Sequence, residues 1–284
     1  MSISAAEGSS RLRRPSISSI LLYVVLGLGA VGMVFPFVWM VATSLKLPKD
    51  VFSLQLVPPT ATLGNYAILF AKSPFADWIL NSIIVACITT VSVALFDTVA
   101  GYILARFTFH GKKLIFIAIL STMMVPTEML IIPWYMASVQ LEWVDTYTGI
   151  LFPGLMSAFG IFLMKQFMEQ VPQELLDAAR VDGMNEWSIM LRIAVPLVRP
   201  ALATLSILTF LSSWNAFIWP LIVTQSPEHL TIPVGISFFS SEQKDSSGWA
   251  LIMTGATVSV LPLIIVFLLF QKHIIRGIAL TGLK

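Results

Sequence analysis

The sequence predicts an all-α membrane protein with six transmembrane helices, the last five of them forming its core. Three observations carry that prediction. Hydrophobic residues make up 57% of the 284 positions and charged residues only 11%, whereas an average soluble domain is about a quarter charged. Mean hydropathy is +0.86, so the chain has too little polar surface for water and its solvent is mostly lipid. Lys and Arg are also unevenly distributed between alternate loops, as membrane topology requires.

About 20 apolar residues, rising about 1.5 Å each, cross the hydrocarbon core as a helix. Six runs qualify: roughly 20–41, 78–104, 114–136, 148–168, 195–223 and 249–270. Backbone groups in lipid must pair internally, and alternation at barrel-strand length is absent, so these runs are read as helices. The first follows Arg11, Arg13 and Arg14 and resembles a signal peptide. It is too long for a cleavable core and no small-residue cleavage site follows, so it reads as an uncleaved span. Residues 1–18, Ser-rich and basic, are expected to be a disordered cytoplasmic segment ahead of a membrane domain over 19–284.

With the N-terminus inside, the inner loops and ends hold 13 of the 17 Lys and Arg, and the outer loops hold Lys46, Lys49, Lys72 and Lys244. Both termini are therefore expected in the cytoplasm. Trp39, Trp78, Trp134, Trp143, Trp219 and Trp249 fall near the predicted outer ends, as an interfacial belt would place them. A formal net charge of +2 gives no support to nucleic-acid binding. One cysteine, Cys87, excludes a disulfide framework, and three scattered histidines suggest no metal centre. No cofactor is expected.

The longest inner loop, 169–196, is polar between two apolar runs. Six of the chain's 32 charged residues lie between Glu174 and Arg192. Pro172 suits a helix start, and Glu174 and Asp177 suit the positive end of its dipole. Ala178 and Ala179 are small helix formers that let a partner surface approach closely. Gly183 can end the helix in the left-handed conformation. Asn185 can cap a second helix through Trp187 to Ile193, and Pro196 then opens the fifth span. The product is a helical elbow lying across the inner face. An ordinary amphipathic connector has the same local features.

Asp177-Ala178-Ala179, two residues, Asp182-Gly183, nine residues, Ile193, two residues, Pro196 resembles the EAA motif of bacterial ABC importer permeases. Asp177 in place of the usual Glu is the one departure. Asn81-Ser82-Ile83, Gly101 through Arg106, Trp214 through Ile222, Leu230 through Gly235 and the tail from Phe270 to Lys284 are similar to the carbohydrate-uptake branch, in particular its smaller permease subunit. The resemblance implies a multi-pass protein of the bacterial inner membrane with its permease core over about 77–270. It implies a second homologous permease subunit, two ATPase subunits and an extracytoplasmic solute-binding protein as partners, besides membrane lipid. It implies that Glu174, Asp177, Ala178, Ala179, Asp182, Gly183, Met184, Ile193 and Pro196 dock the ATPase. It also suggests that the tail, with Lys272, Arg276 and Gly277, approaches the ATPase, and that the outer loop 224–248 faces the binding protein.

Other signals are weaker. Gly27-Leu28-Gly29-Ala30-Val31-Gly32 fits a dinucleotide fingerprint, but no strand precedes it, and small residues for helix packing explain it better. No phosphate-binding P-loop motif occurs, so the chain is not expected to be an enzyme and energy must come from a partner or a gradient. Trp214, Asn215 and Glu128 are candidate solute-pathway residues, since sugars suit flat apolar rings beside an amide; for Trp214, Asn215 and Trp219 together the rival explanation is helix packing and an interfacial tryptophan, which Trp219 fits best. Asp97 and Glu128 are acids inside predicted spans, where charge is costly and usually faces a cavity. An ion-coupled secondary transporter using Asp97 and Glu128 is the alternative function, and a membrane scaffold or channel subunit a third. Neither requires an inner docking elbow.

Overall fold

A computed structural model describes residues 17–242 and 245–282. The expected disorder of residues 1–18 falls almost wholly outside that range, and Ile17 and Ser18 are already helical. Lys244 and Lys284 lie outside the described residues, as do the side chains of Lys272 and Arg276. Every regular element among the described residues is helical.

Three helices are long and apolar enough to cross a membrane unbroken: α1 (Ile17–Ser44), α3 (Phe75–Arg106) and α14 (Ser246–Gly282). The other three expected spans are bent pairs, so the total is six if each pair is one crossing. α1 runs along α14, and no residue of its apolar window is buried. Gly27, Gly29 and Gly32 meet open space on this lipid-facing helix. No strand accompanies them, so the nucleotide fingerprint is coincidental. α2 (Gly64–Lys72) follows the first loop and packs on α14.

α3 is the central post, packed against α7 (Ala158–Glu169) and α11 (Arg199–Trp214). Gly101 permits the closest approach to α7. A Cβ there would stand 2.7 Å from Met164 Cβ and 2.8 Å from the Lys165 nitrogen.

The third expected span is two helices, α4 (Lys112–Thr122) and α5 (Ile131–Gln140), turned 94° from each other. Pro126 has no N–H to continue α4 and disfavours a helical residue before it. Glu128 therefore sits in an exposed 3-10 turn, Thr127–Leu130, and not inside a continuous span as expected. α6 (Tyr147–Leu151) meets α7 through a 45° bend. Ser157 caps α7 by accepting from the Gly160 amide at 2.8 Å.

The fifth span begins at Arg199, ends at Trp214, and resumes as α12 (Ile218–Val223). The loop beyond it is not a plain connector. It contains α13 (Ile232–Glu242), whose Ile232 and Val234 are fully buried against Trp78. Trp78 is 3% exposed and its indole N–H donates to the Pro227 carbonyl at 2.7 Å. It is a core residue, not part of a lipid-facing belt. Asn81 and Ser82 clamp the same loop, donating to the Glu228 and Leu230 carbonyls and accepting from the Ile232 amide.

Candidate functional site: the helical elbow and the intramembrane groove

The elbow forms where the sequence predicts. Pro172 stands one residue ahead of α8 (Gln173–Val181), in the flanking position instead of the first helical one. Gly183 has φ +81°. The Gly183 amide donates to the Arg180 carbonyl at 3.0 Å and the Met184 amide to the Ala179 carbonyl at 3.0 Å. These are the two bonds of a Schellman terminus, which needs the left-handed residue at this point. Asn185 caps α9 (Glu186–Ile189), its Oδ1 accepting from the Ser188 amide at 2.8 Å.

Beyond Ile189 the chain widens into a π-helical turn, Met190–Ala194, then the single turn α10 (Val195–Leu197). Pro196 has no N–H for the Arg192 carbonyl, and its ring crowds that carbonyl, so the regular hydrogen-bond ladder is interrupted there. Pro200 repeats the defect four residues on, and α11 leaves at 82°. Pro196 thus lies inside the elbow's second arm, and Arg199 begins the span.

The elbow has two faces. Leu176, Ala179, Ile189 and Ala194 are buried against Met164 and Met168 of α7, with Met184 and Ile193 packed on the same cluster. Of the predicted docking residues, Ala179, Met184 and Ile193 therefore anchor the elbow to the bundle. Glu174, Asp177, Ala178, Asp182 and Gly183 face outward, and Pro196 is half-buried. The outward face also carries apolar residues that the sequence reading passed over: Val181 is 88% exposed, Trp187 62% and Leu175 46%. The spacing of Leu175, Ala178 and Val181, every third residue opposite the buried Leu176 and Ala179, was the available signal.

A polar ring braces the two arms. Arg180 Nε donates to Glu186 Oε1 at 2.7 Å, and its Nη1 to Asp177 Oδ1 at 2.6 Å. Gln173 donates to Asp177 Oδ1 at 3.0 Å, and Arg106 to Gln173 Oε1 at 3.0 Å. Arg106 also donates to the Met168 and Val171 carbonyls. Tyr102 closes the ring by donating to Glu186 Oε2 at 3.0 Å. Hydrogen bonding from Arg180 holds the Glu186 carboxyl below its ordinary range, against its partial burial. The end of α3 is thereby fastened to both elbow helices.

At the opposite end Asp145 performs a similar service. Burial pushes its carboxyl up, but the Ser226 hydroxyl and the Gln225 and Ser226 amides outweigh that and hold it at about 2.

A groove of about 680 Å³ lies between these ends, walled by α3, the α4–α5 bend, α7 and α11. Thr122, Thr127, Thr209, Ser212 and Ser213 line it, with Trp134 and Trp219. No charged side chain lines it among the described residues. The predicted pathway residues sit differently. Trp214 is 1% exposed, stacks on Phe210 and donates to the Ser259 carbonyl at 3.2 Å. It holds α11 to α14 and presents nothing to the groove. Asn215 is exposed at the break after α11, its amide donating to the Leu211 carbonyl at 2.7 Å. Glu128 adjoins Thr127 at the bend. Thr209, Ser212 and Ser213 recur at helical spacing, a small polar stripe that was readable in the sequence.

Asp97 is fully buried. It accepts from the Ser157 hydroxyl at 2.8 Å and the Ser157 amide at 3.1 Å, at the positive end of α7. A Cβ at Gly160 would stand 2.1 Å from its Oδ2. Its hydrogen bonds tie α3 to α7.

Residues 97–280 match the family described as binding-protein-dependent transport system inner membrane component. The chain is 36% identical over 255 residues to the arabinooligosaccharides transport system permease protein AraQ of Bacillus subtilis (strain 168), covering 88% of this chain and 90% of that protein. It is 30% identical over 277 residues to the trehalose/maltose transport system permease protein MalG of Thermococcus litoralis, covering 96% and 99%. A solved bacterial ABC transporter involved in the import of the acidic polysaccharide alginate superposes with a TM-score of 0.79 at 25% identity, over 90% of this chain and 96% of that one. The chain belongs to this family. It is a multi-pass inner-membrane permease component of a binding-protein-dependent importer, and not itself an enzyme.

Proposed function

We propose that this permease moves a carbohydrate or carbohydrate derivative inward, driven by ATP hydrolysed in two separate subunits that dock on the elbow, 169–196. A second homologous permease subunit completes the path by closing the open side of the groove, and a solute-binding protein delivers the cargo at the opposite end. Both termini lie on the elbow side, the cytoplasm, in keeping with the 13-to-4 division of basic residues. The carrying observation is the elbow itself: a rigid, braced segment whose outward face combines exposed apolar residues with Glu174, Asp177 and Asp182. Hydroxyls and aromatic rings in an uncharged groove suit a polyhydroxylated solute, which offers C–H faces to rings and hydroxyls to Ser and Thr. The names of the relatives support the same class of cargo.

The second reading, ion coupling through Asp97 and Glu128, loses support. Asp97 is committed to Ser157, and Glu128 lies in a surface turn. Reconstituting this permease with those partner subunits in proteoliposomes tests the choice. Oligosaccharide uptake should require ATP and the binding protein, and should survive collapse of the ion gradients. Uptake driven by a gradient without ATP would overturn the proposal.

A further inference from the structure

A basic surface lies near the elbow, between the start of α4 and the end of α7. A cavity of about 760 Å³ opens there. Leu114 and Ile117 wall it, and Lys112, Lys113 and Lys165 form its rim. Both wall residues are exposed, so the apolar wall is continuous with the lipid-facing side of α4. Lys165 is held by Glu169 at 2.7 Å and lies 4.5 Å from the Phe116 ring centroid. Lys112 Nζ donates to the Phe107 carbonyl at 2.9 Å. Lys113 is exposed and carries no ion pair among the described residues.

Three ammonium groups thus face one carboxylate, above an apolar wall, at a helix end. A soluble anion would leave the wall unused. A zwitterionic lipid would bring no net charge to the lysines. An amphiphile with an anionic head and acyl chains matches both halves, as basic pockets between transmembrane helices match anionic headgroups elsewhere.

We propose that this lysine-rimmed cavity between α4 and α7 binds an anionic phospholipid from the leaflet on the elbow side. That this is the cytoplasmic leaflet rests on the orientation proposed above. α7 runs from the cavity through Glu169 directly into Pro172 and α8. An occupied site therefore steadies the α4–α7 pair from which the elbow is hung.

The test uses the full chain in nanodiscs of mixed phosphatidylcholine and phosphatidylglycerol, with retained lipid counted by native mass spectrometry. Wild type should retain phosphatidylglycerol preferentially. Neutralising a lysine near a membrane surface should weaken binding about fivefold, so Lys112→Gln with Lys113→Gln should lower retention roughly thirtyfold. Lys112→Arg with Lys113→Arg keeps the charge and should keep the lipid. If the double glutamine variant fails to insert, Lys113→Gln alone should show the single-charge loss. Lys49→Gln with Lys72→Gln, at the other end of the molecule, should match wild type. Equal retention in the Lys112/Lys113 glutamine pair and wild type, an equal loss in the Lys49/Lys72 pair, or displacement of the lipid by inorganic phosphate would each overturn the proposal. The readout needs no ATPase and no transport, so its failure leaves the permease function standing, and failure of transport leaves the lipid result intact.

Discussion

Gly183→Val isolates the backbone of the elbow from its contacts. Gly183 sits at φ +81°, and a Cβ built there meets nothing within 4 Å. The added Cβ meets no neighbour, so the cost is mainly torsional, about 1–2 kcal/mol for a side chain in the left-handed region. At about 1.4 kcal/mol per tenfold, the native elbow becomes roughly 5- to 30-fold less populated relative to conformations in which α8 has shifted. Asn tolerates the left-handed region, so Gly183→Asn should stay close to wild type. Asp182→Ala removes an exposed carboxylate without forcing the backbone, so its effect should fall between the two. The assay is the amount of ATPase that copurifies with each tagged variant from membranes, read beside uptake. Val should express and insert, yet lose both ATPase and transport. If Val and Asn behave alike, the torsional reasoning is wrong. If both retain full ATPase binding, the elbow is not the docking site.

Three further outcomes follow from the geometry. Asp97→Asn keeps an acceptor for Ser157 and should transport nearly normally, whereas Asp97→Leu leaves the half-buried Ser157 amide without that partner, costs about 1 kcal/mol, and should lower the amount of folded protein on membrane solubilisation; a transport-dead Asp97→Asn that is stably folded would restore the ion-coupled reading. Gly101→Leu places atoms where Met164 Cβ already lies at 2.7 Å from a Cβ, so thermal stability in detergent should fall by about 1–3 kcal/mol, and unchanged stability would show that α3 and α7 do not pack as described. Topology reporters fused near Glu174 should report cytoplasm and those near Pro59 the outside; an outward Glu174 would end the proposed ATPase coupling.

Much of the elbow was legible in the sequence because its devices are local. Gly183 and Asn185 act through bonds to residues within five positions, and each residue type is specific for its job. The unbroken spans were legible for the same reason, since length and hydropathy suffice. What escaped depended on long-range packing. Pro126 and Pro196 signal defects, but whether a proline kinks a helix, splits a span or widens it to a π turn depends on what its freed carbonyl meets. Trp78 and Trp214 look like membrane-interface or sugar-stacking residues in one dimension, yet both are buried by α13 or α14, far away in sequence. Tyr102 and Arg106 were noticed only as part of a resemblance. Their bonds to Glu186, Gln173 and the end of α7 span more than 60 positions, and no pattern along the chain announces them. Groove residues Thr209, Ser212 and Ser213 were readable as a stripe, but they were overlooked beside the more conspicuous Trp214 and Asn215.

The central claim is that ATPase subunits act on this permease through the outward face of the elbow. Val181, 88% exposed in the middle of that face, offers the most direct measurement. Val181→Cys, in an otherwise functional importer, should form a crosslink to the ATPase subunit in native membranes, and the yield should change when ATP is added and hydrolysis is blocked. That crosslink is expected at Val181→Cys and not at Pro59→Cys. A crosslink at Pro59→Cys in place of Val181→Cys, or none at Val181→Cys while ATP-driven uptake persists, would contradict it.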